Sequence, residues 1–254
     1  MTDDRSARPM DITELPKEEL LRLVGVFLGD VLVHYGMWFT ETLHTLGPEE
    51  ALKREDLVLR RYAPLALDRL APHFGIELDN GVPRLLLEKS REDLLLLIAD
   101  IAKTWVTSDG LWFQAVESVS GMETAKAVND TCWSHFAQME AFKIRMHLGI
   151  GDGEGLSALE RALKLRIYST INAHESSWDE DGSLLFRMTE CRVQSARRRK
   201  QLDDYPCKSA GIVEYSTFTR AIDRRIKTEC VWCPPDRVPD EEFCMWRFRI
   251  EKDT

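Results

Sequence analysis

Residues 20–76 align with residues 94–150 without a gap, at a constant offset of 74. Fourteen of the 57 paired positions are identical, among them Leu20/Leu94, Gly36/Gly110, Trp38/Trp112, Phe39/Phe113, Gly47/Gly121, Asp56/Asp130, Ala63/Ala137, His73/His147 and Gly75/Gly149. Unrelated segments share roughly three or four such identities by chance. More than half of the chain is therefore one unit used twice, which constrains the architecture more than any single motif.

Each unit reads as a helical hairpin. Pro16 with Lys17-Glu18-Glu19 opens the first, and Ser90-Arg91-Glu92-Asp93 opens the second as a variant capping box. Leu20, Val24, Phe27, Leu28 and Val31 recur at helical spacing, as do Leu94, Leu97, Ile98, Ile101 and Trp105. Gly47 and Gly121 interrupt the helices. The second helix of each unit runs to His73-Phe74-Gly75-Ile76 or His147-Leu148-Gly149-Ile150, where glycine supplies a left-handed end and isoleucine packs back. Two hairpins imply a four-helix arrangement about a pseudo-two-fold axis. Leu78 to Lys89, with Asn80-Gly81 and Pro83, is the connector.

The last third changes character. Ser157-Ala158-Leu159-Glu160 is a capping box for one more helix. Tyr168–Trp178, Leu184–Val193, Arg225–Trp232 and Phe243–Glu251 read as strands, with a helix at about Val213–Asp223. The expected class is α+β: duplicated helical hairpins over residues 1–150, then a cysteine-rich domain over 151–254 holding a small antiparallel sheet with a helix across it.

The bulk numbers narrow the function classes. A net charge of −9 argues against a general nucleic-acid binder. Met1 to Met10 carry no apolar stretch of a secretory signal, and the longest apolar run, Leu94–Ala99, falls far short of the ~20 residues that span a bilayer. The expectation is a cytoplasmic protein without nucleic-acid or membrane partners, a possible homodimer through its helices. Six cysteines in that compartment point to thiols or metal ligands rather than disulfides.

Several residues invite chemistry, each with a plainer alternative. The shared Gly-x-Trp-Phe places Trp38 and Trp112 inside the first helices. They either pack in the core or wall a ligand cavity, and the glycine suggests a kink or close helix contact. Asp56 and Asp130 interrupt apolar stripes and need a partner. That partner is either an arginine such as Arg60 or Arg145, or the site is a carboxylate-lined pocket to which Glu117 and Glu140 contribute. Five cysteines crowd the last third. Cys230-Val231-Trp232-Cys233 has zinc-ligand spacing, with Cys244 and Cys207 as further ligands. Alternatively Cys207, before a helix, is a nucleophile or redox thiol with a lowered pKa, or the cysteines simply pack. Arg197-Arg198-Arg199-Lys200 with Arg192 is either a solvated face or a binder of a ligand carboxylate.

The run Phe186–Cys191, Pro206-Cys207-Lys208, Cys230–Asp236 and Phe243–Phe248 resembles an uncharacterised bacterial family labelled only "cytosolic protein". More distantly it is similar to L-2-amino-thiazoline-4-carboxylate hydrolase-like proteins, and more loosely to vinyl-reductase-type domains of the transport-particle fold. The Gly-Asp common before the last cysteine of the latter is Glu241-Glu242-Phe243 here. The resemblance points to Cys191, Cys207 and Cys244, and less to Cys230. It implies hydrolysis of a small carboxylated, thiazoline-like compound. Cys207 would be nucleophile or metal ligand, Asp130 or Glu117 the base, and Arg192 or Arg197 the hold on the substrate carboxylate. Two other readings stand beside it: a zinc-stabilised or thiol redox sensing and ligand-binding module, and a helical scaffold or dimerisation protein.

Overall fold

The computed structural model describes residues 11–199, 201, 204–239 and 242–250. Met1–Met10, Lys200, Glu241 and the expected strand end at Glu251 lie outside the described residues. The chain divides into two compact units, Met1–Pro64 and Leu65–Thr254. The division expected at residue 150 does not coincide with this boundary, because the second hairpin is built into the core of the cysteine-rich region.

The first hairpin is α1 (Lys17–Leu46) and α2 (Pro48–Leu70). Gly47 ends one helix and begins the next. Its N–H donates to the Leu43 carbonyl, its own carbonyl accepts from Ala51, and its φ of 80° and ψ of 168° are open to glycine. After the helices, Gly75 takes the left-handed conformation (φ 64°) and Ile76 donates to the Ala71 carbonyl. No residue of α1 is buried, and by length and composition this helix suffices to cross a membrane. The connector forms a two-residue ladder, β1 (Leu78–Asp79) with β2 (Val82–Pro83), around Asn80-Gly81, followed by the single turn α3 (Arg84–Leu87).

The second hairpin is α4 (Arg91–Leu148), bent at Gly121 with φ 81° and ψ 168°. Ser90 caps it by accepting from the Asp93 N–H, as the capping-box pattern predicts. Its end repeats the first unit in detail: Gly149 has φ 63°, and Ile150 donates to the Arg145 carbonyl. Gly36 and Gly110 lie in regular helix with open space around them, so the close helix contact expected at these positions is absent.

The α+β class is borne out. Helix α5 (Gly155–Leu163) begins two residues before the predicted capping box, because the buried Asp223 carboxylate accepts from the Gly155 N–H and fixes the first turn there. Strands β3 (Ala173–Trp178), β4 (Leu184–Glu190), β5 (Ile226–Trp232) and β6 (Cys244–Ile250) form an antiparallel sheet in the order β3-β4-β6-β5. Leu184, Phe186 and Met188 alternate inward on β4, and Trp246 and Phe248 face the same core from β6. Helix α7 (Lys208–Ile222) lies across this face, and the second half of α4 packs on α7 through Ala137, Ala141 and Ile144. Gly211 is what lets α7 approach: a Cβ there would stand 2.5 Å from the Trp246 ring. A short helix not anticipated from the sequence, α6 (Arg192–Arg199), joins the sheet to α7.

Candidate functional site

Cys207 occupies the N-cap of α7, where its carbonyl accepts from the Gly211 N–H. The approach to it is clamped by Gln194, a fully buried amide on α6. Its Nε2 donates to the Tyr205 carbonyl at 2.8 Å and its Oε1 accepts from the Tyr205 N–H at 2.8 Å. The same Nε2 lies 3.5 Å from the Cys207 Sγ. On the other side the Lys208 N–H donates to the Pro234 carbonyl, which brings the loop after β5 against the start of α7. Cys233 on that loop is buried, and its Sγ is 3.5 Å from that of Cys207. Cys244, at the start of β6, packs against the same core.

This arrangement makes the thiols unequal. Donation from Cys233 lowers the Cys207 pKa and outweighs burial, with Gln194 acting in the same direction. The Cys233 thiol is held protonated by its contacts with Cys207 and Cys244 and by burial. Burial pushes Cys191 and Cys230 up to about 11 each. Among these thiols Cys207 is the one whose pKa is lowered, and the cause is the Cys233 contact.

Tyr205 lies two residues before Cys207. The Tyr205 ring meets Phe113 edge-on at 5.3 Å, and Lys126 sits 4.9 Å over its face while donating to the Pro206 carbonyl. Burial raises the Tyr205 pKa first, and the nearby Asp130, Cys207, Asp109 and Glu117 raise it further. Asp130, Glu117 and Cys207 thus act on Tyr205 through their charge, and among the described residues the Tyr205 hydroxyl makes no hydrogen bond to any of them. The Asp130 Oδ1 and the Tyr205 hydroxyl are buried with no partner among the described residues. Of the two arginines expected to partner the aspartates, Arg60 does pair with Asp56 at 2.8 Å, whereas Arg145 pairs with Asp152 and the Ala221 carbonyl and not with Asp130. The carboxylates do not touch Cys207 directly, whose side-chain hydrogen-bond partners are Cys233 and Gln194.

A buried ion triad supports this wall. Arg166 donates from Nε to Glu140 at 2.8 Å and pairs through Nη1 with Glu214 at 2.6 Å, with the Phe218 ring 4.6 Å from its guanidinium. The triad ties α4 to α7. Burial raises the Glu214 pKa although Arg166 opposes the shift. Beside it Tyr168 reaches the Cys191 Sγ at 3.8 Å and packs edge-on to Trp105 and Trp133. Asp109, hydrogen-bonded by Trp133, is raised by burial. Sequence reasoning noticed Glu140 but missed Arg166 and Glu214. The available signal was a glutamate between Ala137, Ala141 and Ile144 on an otherwise apolar stripe.

The remaining candidates lie elsewhere or differ in setting. Arg192 is exposed, and Arg197 is half-buried one helical turn from Gln194. Trp38 and Trp112 are 67% and 69% exposed, so neither is a core residue. Cys230 faces the core from β5 before a register shift in the ladder. Among the described residues no group of three or more His, Cys, Asp or Glu side chains is arranged to hold a metal ion, so the proposed zinc ligands Cys207, Cys230, Cys233 and Cys244 do not surround a common point as they stand.

No curated protein and no solved structure matches the chain. Residues 86–250, which span the second hairpin, the sheet and every cysteine, match a family of unknown function. The chain belongs to that family, DUF6125.

Proposed function

We propose that the cysteine-rich unit binds a small carboxylated, thiazoline-like compound and hydrolyses it through Cys207. The observation that carries this reading is the thiol pair: Cys207 at the start of α7, 3.5 Å from a buried Cys233 whose proton stabilises its thiolate. In this reading the Cys207 sulfur bonds to the electrophilic ring carbon and a ring bond breaks. The leaving atom takes a proton from the Tyr205–Asp130–Glu117 group, and water then releases the product and restores the thiol. The acidic wall suits the nitrogen end of such a molecule, and Arg197, with Arg192 further out, would hold its carboxylate. The reading places the chain in the cytoplasm and off the membrane. Its net charge of −9 supports the absence of nucleic acid. Asp30 and His34 within α1 weigh against that helix entering lipid, and the chain is expected in the soluble fraction of lysed cells.

The test pairs labelling with turnover. Iodoacetamide labelling followed by mass spectrometry should modify Cys207 with a midpoint below the ordinary thiol value of about 8.5, well before Cys191 and Cys230. Cys207→Ala should abolish hydrolysis across a panel of 2-substituted thiazoline carboxylates. Equal labelling of all thiols, or full turnover by Cys207→Ala, would overturn the reading.

A second reading is a zinc-stabilised or redox-sensing module. It is favoured by one observation, the close approach of the Cys207 and Cys233 sulfurs. The 3.5 Å sulfur separation is close to the roughly 3.8 Å edge of a zinc–thiolate tetrahedron with Zn–S bonds of about 2.3 Å. Elemental analysis of untagged protein showing about one zinc per chain, lost in Cys233→Ala, would move the assignment to it.

A further inference from the structure

The α1–α2 hairpin encloses a cleft of about 450 Å³ between residues 31 and 62, within the size range of small-molecule sites. Its walls are Val31, Tyr35, Trp38, Phe39, Val58 and Tyr62. Tyr35 and Tyr62 face each other at 5.9 Å, and the Tyr35 hydroxyl donates to Glu55 at 3.0 Å.

The internal repeat shows what belongs in such a space. At the offset of 74, Val31 corresponds to Trp105, Leu59 to Trp133 and Tyr62 to Phe136. In the second hairpin the Trp105 ring stacks on Phe136 at 5.2 Å, Trp133 meets both edge-on, and Tyr168 closes over the two tryptophans. The corner glycines have the same backbone angles in the two hairpins, so the helices leave each corner alike. The first hairpin puts a valine where the second puts an indole, and the cleft is the room left over.

We propose that this cleft is a binding site for a neutral, planar aromatic molecule of one or two rings, which takes the place that the Trp105 side chain fills in the second hairpin. The class follows from the lining. Trp38, Tyr35 and Tyr62 line it with aromatic surface, the two tyrosine rings 5.9 Å apart. Of the charged groups at the cleft, Arg54 is paired with Glu50 and Glu55 accepts from Tyr35, so a neutral ligand displaces no ion pair. The site lies outside the residues that match the family and does not depend on the thiol chemistry.

The test uses the full chain and the neutral probe N-phenyl-1-naphthylamine, followed by its fluorescence. The chain should bind it saturably at one site. Val31→Trp, which installs the residue of the second hairpin, should weaken binding by about tenfold or more with helicity unchanged. Trp38→Ala, at an exposed position where folding is not at stake, should weaken it comparably. Leu32→Trp, on the same helix but outside the cleft, should bind as the parent does. Equal binding by Val31→Trp and the parent would overturn the proposal. So would equal weakening by Leu32→Trp, since the probe would then report the exposed apolar surface of α1. Sedimentation showing that the probe is expelled as the chain self-associates would assign the cleft to a second copy instead.

Discussion

The two hairpins share a backbone and differ in everything around it. Gly47 and Gly121 adopt the same φ and ψ within a degree, and the glycine–isoleucine endings repeat hydrogen bond for hydrogen bond. Yet Ala137 and Ala141 are completely buried, whereas their counterparts Ala63 and Leu67 are not, Leu67 being 37% exposed. The reason sits at position 140. Glu140 joins Arg166 and through it Glu214 on α7, whereas its counterpart is Ala66, which offers no anchor. The lesson is that turn geometry is encoded locally and repeats faithfully, while burial is decided by a few side chains that reach distant parts of the chain.

This contrast can be broken most forcefully at Arg166. Arg166→Met leaves two carboxylates buried without their cation and should cost about 3–5 kcal/mol in a urea melt. It should unfold the cysteine-rich unit before the first hairpin loses helicity. A loss under about 1 kcal/mol would mean that the triad does not hold α4 to α7.

A sharper comparison applies one change to both units. Ala137→Leu overfills a closed core and should destabilise by about 1–3 kcal/mol. Ala63→Leu should stay within about 0.5 kcal/mol, as for surface changes. Equal effects would show that the first hairpin has a covering partner in solution. The smallest and most symmetrical effect is expected at the corners. Gly47→Ala and Gly121→Ala should each cost about 1 kcal/mol or slightly more, because both angles lie where a Cβ is strained. A large inequality between them would separate the two corners.

Much of this was legible in the chain. The repeat, both left-handed helix ends, the Ser90 cap and the four strands follow from local patterns, because glycine, capping residues and alternation act over a few residues. Cys207, Asp130 and Glu117 were legible as residue types, whereas Tyr205, whose hydroxyl feels the charge of all three, carries no local signal. Arg166 and Glu214 were illegible for a physical reason: Arg166 meets Glu140 across 26 residues of chain and Glu214 across 48, and no window shows such a pairing. Helix α6 hid behind its basic run, which resembles a solvated loop until Gln194 is seen to turn inward.

The long reach of that triad also sets a timetable for synthesis. Helix α4 is complete at Leu148, but the helix it packs against ends only at Ile222 and the last strand at Ile250. At roughly 5–20 residues per second, the apolar face of Ala137, Ala141 and Ile144 waits about 4–15 s on the ribosome before α7 exists to cover it. During that interval Asp130 and Glu140 are the carboxylates set into this otherwise apolar stripe, and Glu140 has no cation to meet until Arg166 has been made.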